Sequence, residues 1–132
     1  MTLVDSNILM YAAGATHAHR KPSVEFLDKV IRGRVRATID AETLQEILHR
    51  YRSIGRWTDG EAIYDRTRLF FPQILVITGE VMDRTKELMA QYSRMSARDA
   101  IHAAVVEVYG LESICSFDRD FDKIQGLTRI EP

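Results

Sequence analysis

The sequence predicts one α/β domain in which a short parallel sheet is covered by helices on both faces. Short apolar segments typical of strands alternate along the chain with longer segments whose apolar residues recur at helical spacing. The most helical segment, Ser96–Tyr109, is apolar on nearly every side, which is typical of a helix buried in a core. With 132 residues, the chain has room for one ordinary domain, predicted over 1–132.

In the first half of the chain, two short strands are each predicted to lead into a helix. A very short apolar strand ends at Asp5, and the alternation of apolar and polar residues over 35–39 predicts the second strand. Asp40 can cap the helix that follows the second strand, and Gly55 can end that helix. Three further helices are predicted, over 8–13, over Pro22–Arg32 and from Thr58 or Asp59 to Phe70.

The second half continues the alternation of strands and helices. The uninterrupted apolar run Ile74–Ile77 predicts a strand covered on both faces, and a helix is predicted over roughly Glu80–Tyr92. Ser113–Phe117 is a further short strand, from which a polar turn over Asp118–Asp122 leads to a last segment, Leu127–Ile130. Right-handed crossovers between parallel strands place the loops after each strand along one edge of the sheet.

Composition excludes several classes of protein. The net charge of -1 gives no overall basic surface, so a nucleic-acid partner would have to meet a local basic patch. Cys115 is the only cysteine, which excludes an intramolecular disulfide and a multi-thiolate zinc site, and its apolar surroundings predict a buried, inert thiol. No signal peptide and no apolar run near the ~20 residues of a membrane span occur, so a cytoplasmic location is predicted.

Four acidic residues fall where the predicted fold would bring them together. Asp5 ends the first strand and Asp118 follows Ser113–Phe117, and ligands of open α/β sheets bind beyond the carboxyl ends of the strands. Asp99 lies in the first turn of the buried helix, and Glu46 lies in the helix after the second strand. The fold therefore predicts that these acids share one edge of the sheet.

Each acid also has a purely structural interpretation. Asp99 resembles part of a capping box, and Glu46 could form an exposed ion pair with Arg50, worth only ~0.3–0.5 kcal/mol. Asp118 could cap the turn after it, and Asp5 could be an ordinary loop carboxylate. Several carboxylates held close together, however, repel one another unless a cation intervenes. Mg²⁺ and Mn²⁺ prefer such oxygen ligands, and such ions can bind both the attacking and the leaving oxygen of a phosphodiester.

The segments around these acids resemble the PIN-domain ribonucleases, specifically the VapC-type toxins of toxin–antitoxin pairs. The matching segments, whose order and spacing span the whole chain, are Val4–Leu9, Thr43–Glu46, Ala97–Ala104 and Ser116–Phe121. The resemblance implies a three-layer α/β/α sandwich with Mg²⁺- or Mn²⁺-dependent endoribonuclease activity on RNA. It also implies a homodimer and inhibition by a small antitoxin protein.

The resemblance also implies roles for single residues. The positions that match the family's acidic metal site are Asp5, Glu46, Asp99 and Asp118. Asn7 matches a polar residue that supports Asp5, and Ser116 stands where a threonine is common and is expected to act through its neighbours. Either Asp120 or Asp122 could add a further acid. A serine rather than a threonine follows Asp5, which is a small departure from the family's pattern.

Other residues admit both a functional and a structural interpretation. His17 and His19 suit a solvated loop better than a metal site, and His102 suits a packed, hydrogen-bonded position in the buried helix. Trp57 could stack on RNA bases or pack at a helix end. A basic stretch that could meet phosphates, or belong to an exposed strand edge, is formed by Arg32, Arg34 and Arg36.

Two alternatives to a toxin ribonuclease stay open from the sequence. One is a housekeeping RNA-processing nuclease with the same site and no antitoxin. The other is a non-catalytic PIN-like binding domain, against which the presence of all four acids argues, because such a domain would gain nothing from their repulsion.

Overall fold

The computed structural model describes all residues, Met1–Pro132, and contains six α-helices and four short strands. The strands are β1 (Thr2–Val4), β2 (Ala37–Thr38), β3 (Ser113–Cys115) and β4 (Arg129–Ile130). The helices are α1 (Ser6–Ala13), α2 (Arg20–Ile31), α3 (Ala41–Ser53), α4 (Trp57–Phe70), α5 (Gly79–Gln91) and α6 (Ala97–Val108). A 3₁₀ turn over Arg119–Lys123 connects β3 to β4.

All four strands are parallel and lie in the order β2-β1-β3-β4. Leu3 lies opposite Ile114 and Val4 opposite Cys115, so β1 and β3 form the centre of the sheet. The strand that follows β1 in the chain, β2, lies on one side of β1, and the later strands β3 and β4 lie on its other side. The carboxyl ends of β1 and β3 therefore form the point at which the connections diverge, where open α/β sheets bind their ligands.

Two apolar cores lie on opposite faces of the sheet, because successive side chains of a strand point to opposite faces. Leu3 and Ile114 join a core completed by α5 and α6, whereas Val4 and Cys115 join a core completed by α1 to α4. In α6, every residue over Ala100–Val106 is buried. The predicted three-layer α/β/α sandwich and its buried helix are confirmed.

The strand predicted over Ile74–Ile77 is wrong. Only Leu75 pairs, through a single bridge to Asp40, and Val76 is 62% exposed. The apolar run has a packing role instead: Leu75 and Ile77 contact the core of α5 and α6. An apolar run predicts burial, but it does not specify a strand partner, and β2 ends at Thr38, before the residue that Leu75 pairs with.

Smaller differences concern the ends of elements. The strand predicted over 35–39 is reduced to Ala37–Thr38, and α2 begins at Arg20, two residues before Pro22. The cap of α1 is Asp5, so Ser6 belongs to the helix. Cys115 is a free, buried thiol as predicted, and burial, together with the charge of Asp5, raises its pKa to about 12. No helix has both the length and the apolarity to cross a membrane.

Candidate active site

Asp5 lies at the carboxyl end of β1, where its backbone N–H donates to the carbonyl of Cys115 in β3. Asp5 is only 6% exposed, and Glu46 on α3 is only 8% exposed. A carboxylate oxygen of each lies within 4.8 Å of the other and of a ring nitrogen of His102. Burial raises the pKa of Asp5, and the charge of Glu46 adds to that rise.

Glu46 is held on both of its oxygens. One accepts a hydrogen bond from the hydroxyl of Ser6, and the other lies 2.6 Å from Nε2 of His102. No ion pair with Arg50 forms, so the exposed-pair interpretation of Glu46 is wrong.

His102 is the centre of a buried charge network. Its Nδ1 lies 2.7 Å from Asp40, its Nε2 lies 2.6 Å from Glu46, and Asp5 is 3.9 Å away. Burial alone would lower the pKa of His102, but the charge of Asp40, hydrogen bonds to Asp40 and Glu46, and the charge of Asp5 hold it well above 6.5. The packed, hydrogen-bonded histidine is confirmed, and it is a buried cation among acids.

Asp40 is the member of this network that the sequence interpretation missed in part. Its cap on α3 is present, since its Oδ1 accepts from the backbone N–H of Thr43 at 2.9 Å. It is also fully buried, and its second oxygen binds His102. The signal was available: Asp40 follows β2 as Asp5 follows β1, so the rule that selected Asp5 also selects Asp40.

A second group of acids lies beside the first. Carboxylate oxygens of Asp99, Asp118 and Asp120 lie within 4.8 Å of one another. Burial, the charges of Asp118 and Asp5, and a smaller effect of Glu46 raise the pKa of Asp99 to about 6. The charges of the first group therefore act on the second. Asp120 pairs with Lys123 at 2.9 Å and Asp122 with Arg129 at 2.9 Å, but only Asp120 has an oxygen within this group, so it is the further acid that the geometry favours.

Ser116 and Asn7 connect the two groups of acids. The Ser116 hydroxyl donates to Asp5 at 2.6 Å and accepts from the backbone N–H of Asp118 at 2.9 Å. The Asn7 amide donates to Asp5 at 3.2 Å and to Ser116 at 3.1 Å. Both polar side chains thus contact the acids directly and fix the orientation of Asp5.

Helix-capping contacts at two of the acids are present alongside this arrangement. Asp118 caps the 3₁₀ turn by accepting from the backbone N–H of Asp120, and the Ser96 hydroxyl accepts from the backbone N–H of Asp99 at the start of α6. The contact of Asp118 leaves further lone pairs on its carboxylate, and the contact of Asp99 uses its backbone N–H rather than its carboxylate.

The donor set fits a divalent cation with oxygen ligands. Burial, together with the charges of neighbouring carboxylates, raises the pKa of Asp5 and of Asp99, and a bound cation would remove this electrostatic cost. Asn7 Oδ1 is, in addition, a buried acceptor without a hydrogen-bond partner. His102 fits less well as a ligand, because both ring nitrogens already bind carboxylates. Asp5, Glu46, Asp99 and Asp118 are therefore the side chains that could hold a metal, with Asp120 beside them.

Replacing Asp99 with asparagine is expected to stabilise the metal-free protein above pH 6 by about 2 kcal/mol, which is the effect of the raised pKa reduced for solvent screening of this partly exposed side chain. The folded chain keeps the Asp99 proton up to about pH 6, whereas the unfolded chain releases it near 3.8. The free energy of unfolding therefore falls as the pH rises between these values, and the variant lacks this fall. Urea unfolding in EDTA at pH 4.5 and pH 7.5 measures it.

Glu80→Gln is the control, because Glu80 lies in the first turn of α5 and is exposed. Adding Mg²⁺ should stabilise the natural chain and the control much more than Asp99→Asn. A variant no more stable than the natural chain at pH 7.5 would show that Asp99 is not under electrostatic strain.

The other residues considered from sequence lie outside the acids. His17 is exposed, and His19 stacks on Phe117 with ring centroids 3.8 Å apart, so the two do not form a metal site with any acid. Trp57 begins α4 with the Arg52 guanidinium 4.2 Å above its ring, which favours packing at a helix end. The arginines at 32, 34 and 36 are exposed beside the edge strand β2.

A parallel sheet with a cluster of acids at the carboxyl ends of its two central strands is the arrangement expected of a PIN domain. Residues 2–127 match that family. The chain belongs to the PIN-domain family. Among its relatives, Ribonuclease VapC13 of Mycobacterium tuberculosis is 37% identical over 130 residues, 98% of this chain and 99% of that protein. Ribonuclease VapC23 of the same species is 30% identical over 118 residues, 89% of this chain and 93% of that protein.

Solved structures agree on the fold. VapC20 of Mycobacterium tuberculosis, a sarcin–ricin loop cleaving toxin, matches with a TM-score of 0.79 at 16% identity over 100% of both chains. VapBC2 of Rickettsia felis, bound to a DNA fragment of its promoter, matches with a TM-score of 0.76 at 14% identity over 98% of this chain and 97% of that one. At these identities the likeness concerns the fold alone.

Proposed function

We propose that this chain is an endoribonuclease that hydrolyses RNA phosphodiester bonds with Mg²⁺ or Mn²⁺ held by Asp5, Glu46, Asp99 and Asp118. The supporting observation is the placement of two groups of acids side by side at the carboxyl ends of β1 and β3. The names of the curated relatives, VapC ribonucleases, supply the substrate class. RNA cleavage that requires the metal and these acids tests the proposal.

The residues of the chain would orient the ligands and keep the site rigid. Ser116 and Asn7 hold Asp5, while His102 and Ser6 hold Glu46, so both side chains are fixed before any ion arrives. A bound divalent ion would supply Lewis-acid activation of water and neutralise charge on the phosphodiester. Asp99 and Asp118 would supply further oxygen ligands, and the charge of Asp5 already acts on Asp99.

We further propose that the nuclease is a toxin neutralised by a small antitoxin. Relatives with this fold include a toxin–antitoxin complex from Klebsiella pneumoniae, with a TM-score of 0.68 at 19% identity over 97% of this chain and 96% of that one. A cavity of about 280 Å³ between α1, α2 and α4 is lined mostly by apolar side chains, among them Leu9, Val24, Ile31 and Ile63. At its rim, Ile31 is 59% exposed and Val24 46%. An apolar segment of the antitoxin would cover this surface.

Ile31→Glu is expected to weaken antitoxin binding at least tenfold while RNA cleavage by the free toxin is unchanged, because a charge would be buried in the apolar contact. The measurement is the affinity for the product of the small reading frame next to the gene. Leu69→Glu is the control, since Leu69 is 79% exposed on α4 and does not line the cavity. Equal affinities of the two variants would place the antitoxin elsewhere.

A housekeeping RNA-processing nuclease is the alternative, and gene context separates the two. Without an adjacent reading frame whose product inhibits cleavage, the toxin assignment fails and the nuclease assignment stands. The homodimer and the cytoplasmic location stay predictions.

A further inference from the structure

A cavity of about 330 Å³ between α1 and α3 opens beside the acids. Asn7, which donates to Asp5, lines it, and so does Tyr11, one helical turn further along α1. On α3, Arg50 lines the cavity one turn after Glu46. The cavity therefore continues directly from the proposed catalytic site along both helices.

The charge of this cavity is opposite to that of the site. Arg50 and Arg56 line it, and no carboxylate does. Arg50 forms no ion pair, and Arg56 pairs only with Asp59, at 2.8 Å and largely in solvent, where such a pair contributes little. The cluster of acids repels anions, whereas the two guanidinium groups beside it attract them. A long anion could therefore bind the arginines at one end and reach the acids at the other.

Aromatic groups hold Tyr11 in place at the cavity wall. Its ring centroid lies 4.7 Å from that of His17 and 5.5 Å, edge-on, from that of Phe117. Phe117 in turn follows Ser116 and precedes Asp118, so this aromatic cluster is anchored to the acidic site itself. A half-buried, supported tyrosine ring is the kind of surface on which an unpaired base stacks.

Resting on the proposed ribonuclease activity, we propose that this cavity binds the nucleotide next to the scissile phosphodiester of single-stranded RNA. Arg50, assisted by Arg56, binds the phosphate of that nucleotide, and Tyr11 stacks on its base. The substrate strand then runs from the arginines over Asn7 to the acids. Single-stranded RNA fits better than a duplex, because only an unpaired base exposes its face to Tyr11.

The test measures binding of a fluorescein-labelled, 12-nucleotide single-stranded RNA of mixed sequence by anisotropy in EDTA, where no cleavage occurs. Arg50→Gln should weaken binding about threefold to tenfold and reduce the slope of log K against log[salt] by ~0.7, the contribution of one phosphate contact on a single strand. Tyr11→Leu should weaken binding about tenfold without changing that slope, and Tyr11→Phe should keep the natural affinity.

Arg52→Gln is the matched control, because it removes the same charge from the same helix, outside the cavity and above Trp57. The proposal is overturned if Arg50→Gln has the same affinity and salt slope as Arg52→Gln. It is also overturned if the natural chain does not bind the RNA. Thermal unfolding midpoints of all variants show whether Tyr11→Leu has disturbed the fold. If it has, the proposal is decided by the binding of Arg50→Gln and Tyr11→Phe.

Two further outcomes separate this inference from others. If the natural chain and its variants bind RNA as expected but no RNA is cleaved with Mg²⁺ or Mn²⁺, the cavity assignment stands and the proposed function fails. If a labelled deca-glutamate peptide binds the natural chain but not Arg50→Gln, while both bind RNA equally, the cavity receives an acidic protein segment and the proposal is overturned.

Discussion

Asp5→Asn and Asp118→Asn are each expected to reduce RNA cleavage in Mg²⁺ or Mn²⁺ by about 10³-fold, equivalent to ~4 kcal/mol of transition-state stabilisation. Each change removes one negative ligand from the proposed metal site while keeping the shape of the side chain. Asparagine also caps helices about as well as aspartate, so Asp118→Asn should keep the 3₁₀ turn intact. Initial rates on a panel of structured RNAs, at saturating metal, measure the effect.

Asp120→Asn and Asp122→Asn are a matched pair of variants with which this result is compared. Asp120→Asn should reduce cleavage about tenfold, because its carboxylate joins Asp99 and Asp118, and charged neighbours of metal ligands contribute at about this level. Asp122→Asn should change the rate less than twofold, because that carboxylate pairs with Arg129 instead. Full activity in Asp5→Asn or Asp118→Asn would refute the metal-site assignment, and no cleavage by the natural chain on any RNA would refute the nuclease.

The acids could be selected from sequence because their placement depends on topology alone. Asp5 and Asp118 each follow a strand, and parallel strands bring their carboxyl ends to one edge whatever the side chains between them do. In the structure, Asp5 and Asp118 both lie at that edge. Whether two such acids share a site depends on strand order, and the adjacency of β1 and β3 was not deducible from the local pattern.

Features that depend on long-range pairing were not predicted. Asp40 and His102 are 62 positions apart, and each has a sufficient local explanation, as a helix cap and as a packed core residue. The run Ile74–Ile77 has strand-like apolarity, yet only Leu75 pairs, through an isolated bridge to Asp40 beyond the end of β2. The cavity of Arg50 and Tyr11 arises from how α1 and α3 lie side by side, which no single segment encodes.

His102→Leu is expected to lower the free energy of unfolding of the metal-free chain at pH 7 by about 3–5 kcal/mol. The leucine would leave Asp40, Glu46 and Asp5 buried without the cation that compensates them. Because the folded pKa of His102 lies well above 6.5, its stabilising effect in the natural chain is complete below about pH 6.5 and is lost as the pH rises through that folded pKa. Urea unfolding in EDTA across this pH range measures both effects.

A double-mutant cycle separates loss of charge from loss of packing. Asp40→Asn keeps the cap on α3 and removes one buried charge, so His102→Leu should cost 1–3 kcal/mol less in the Asp40→Asn background than in the natural chain. His49→Leu, at an exposed position on α3, should change stability by less than ~0.5 kcal/mol. Equal costs of His102→Leu in both backgrounds would mean that the imidazole acts by packing alone. A positive coupling would mean that a protonated histidine lets the acids stay buried together before any metal binds, so that the proposed site is assembled in advance.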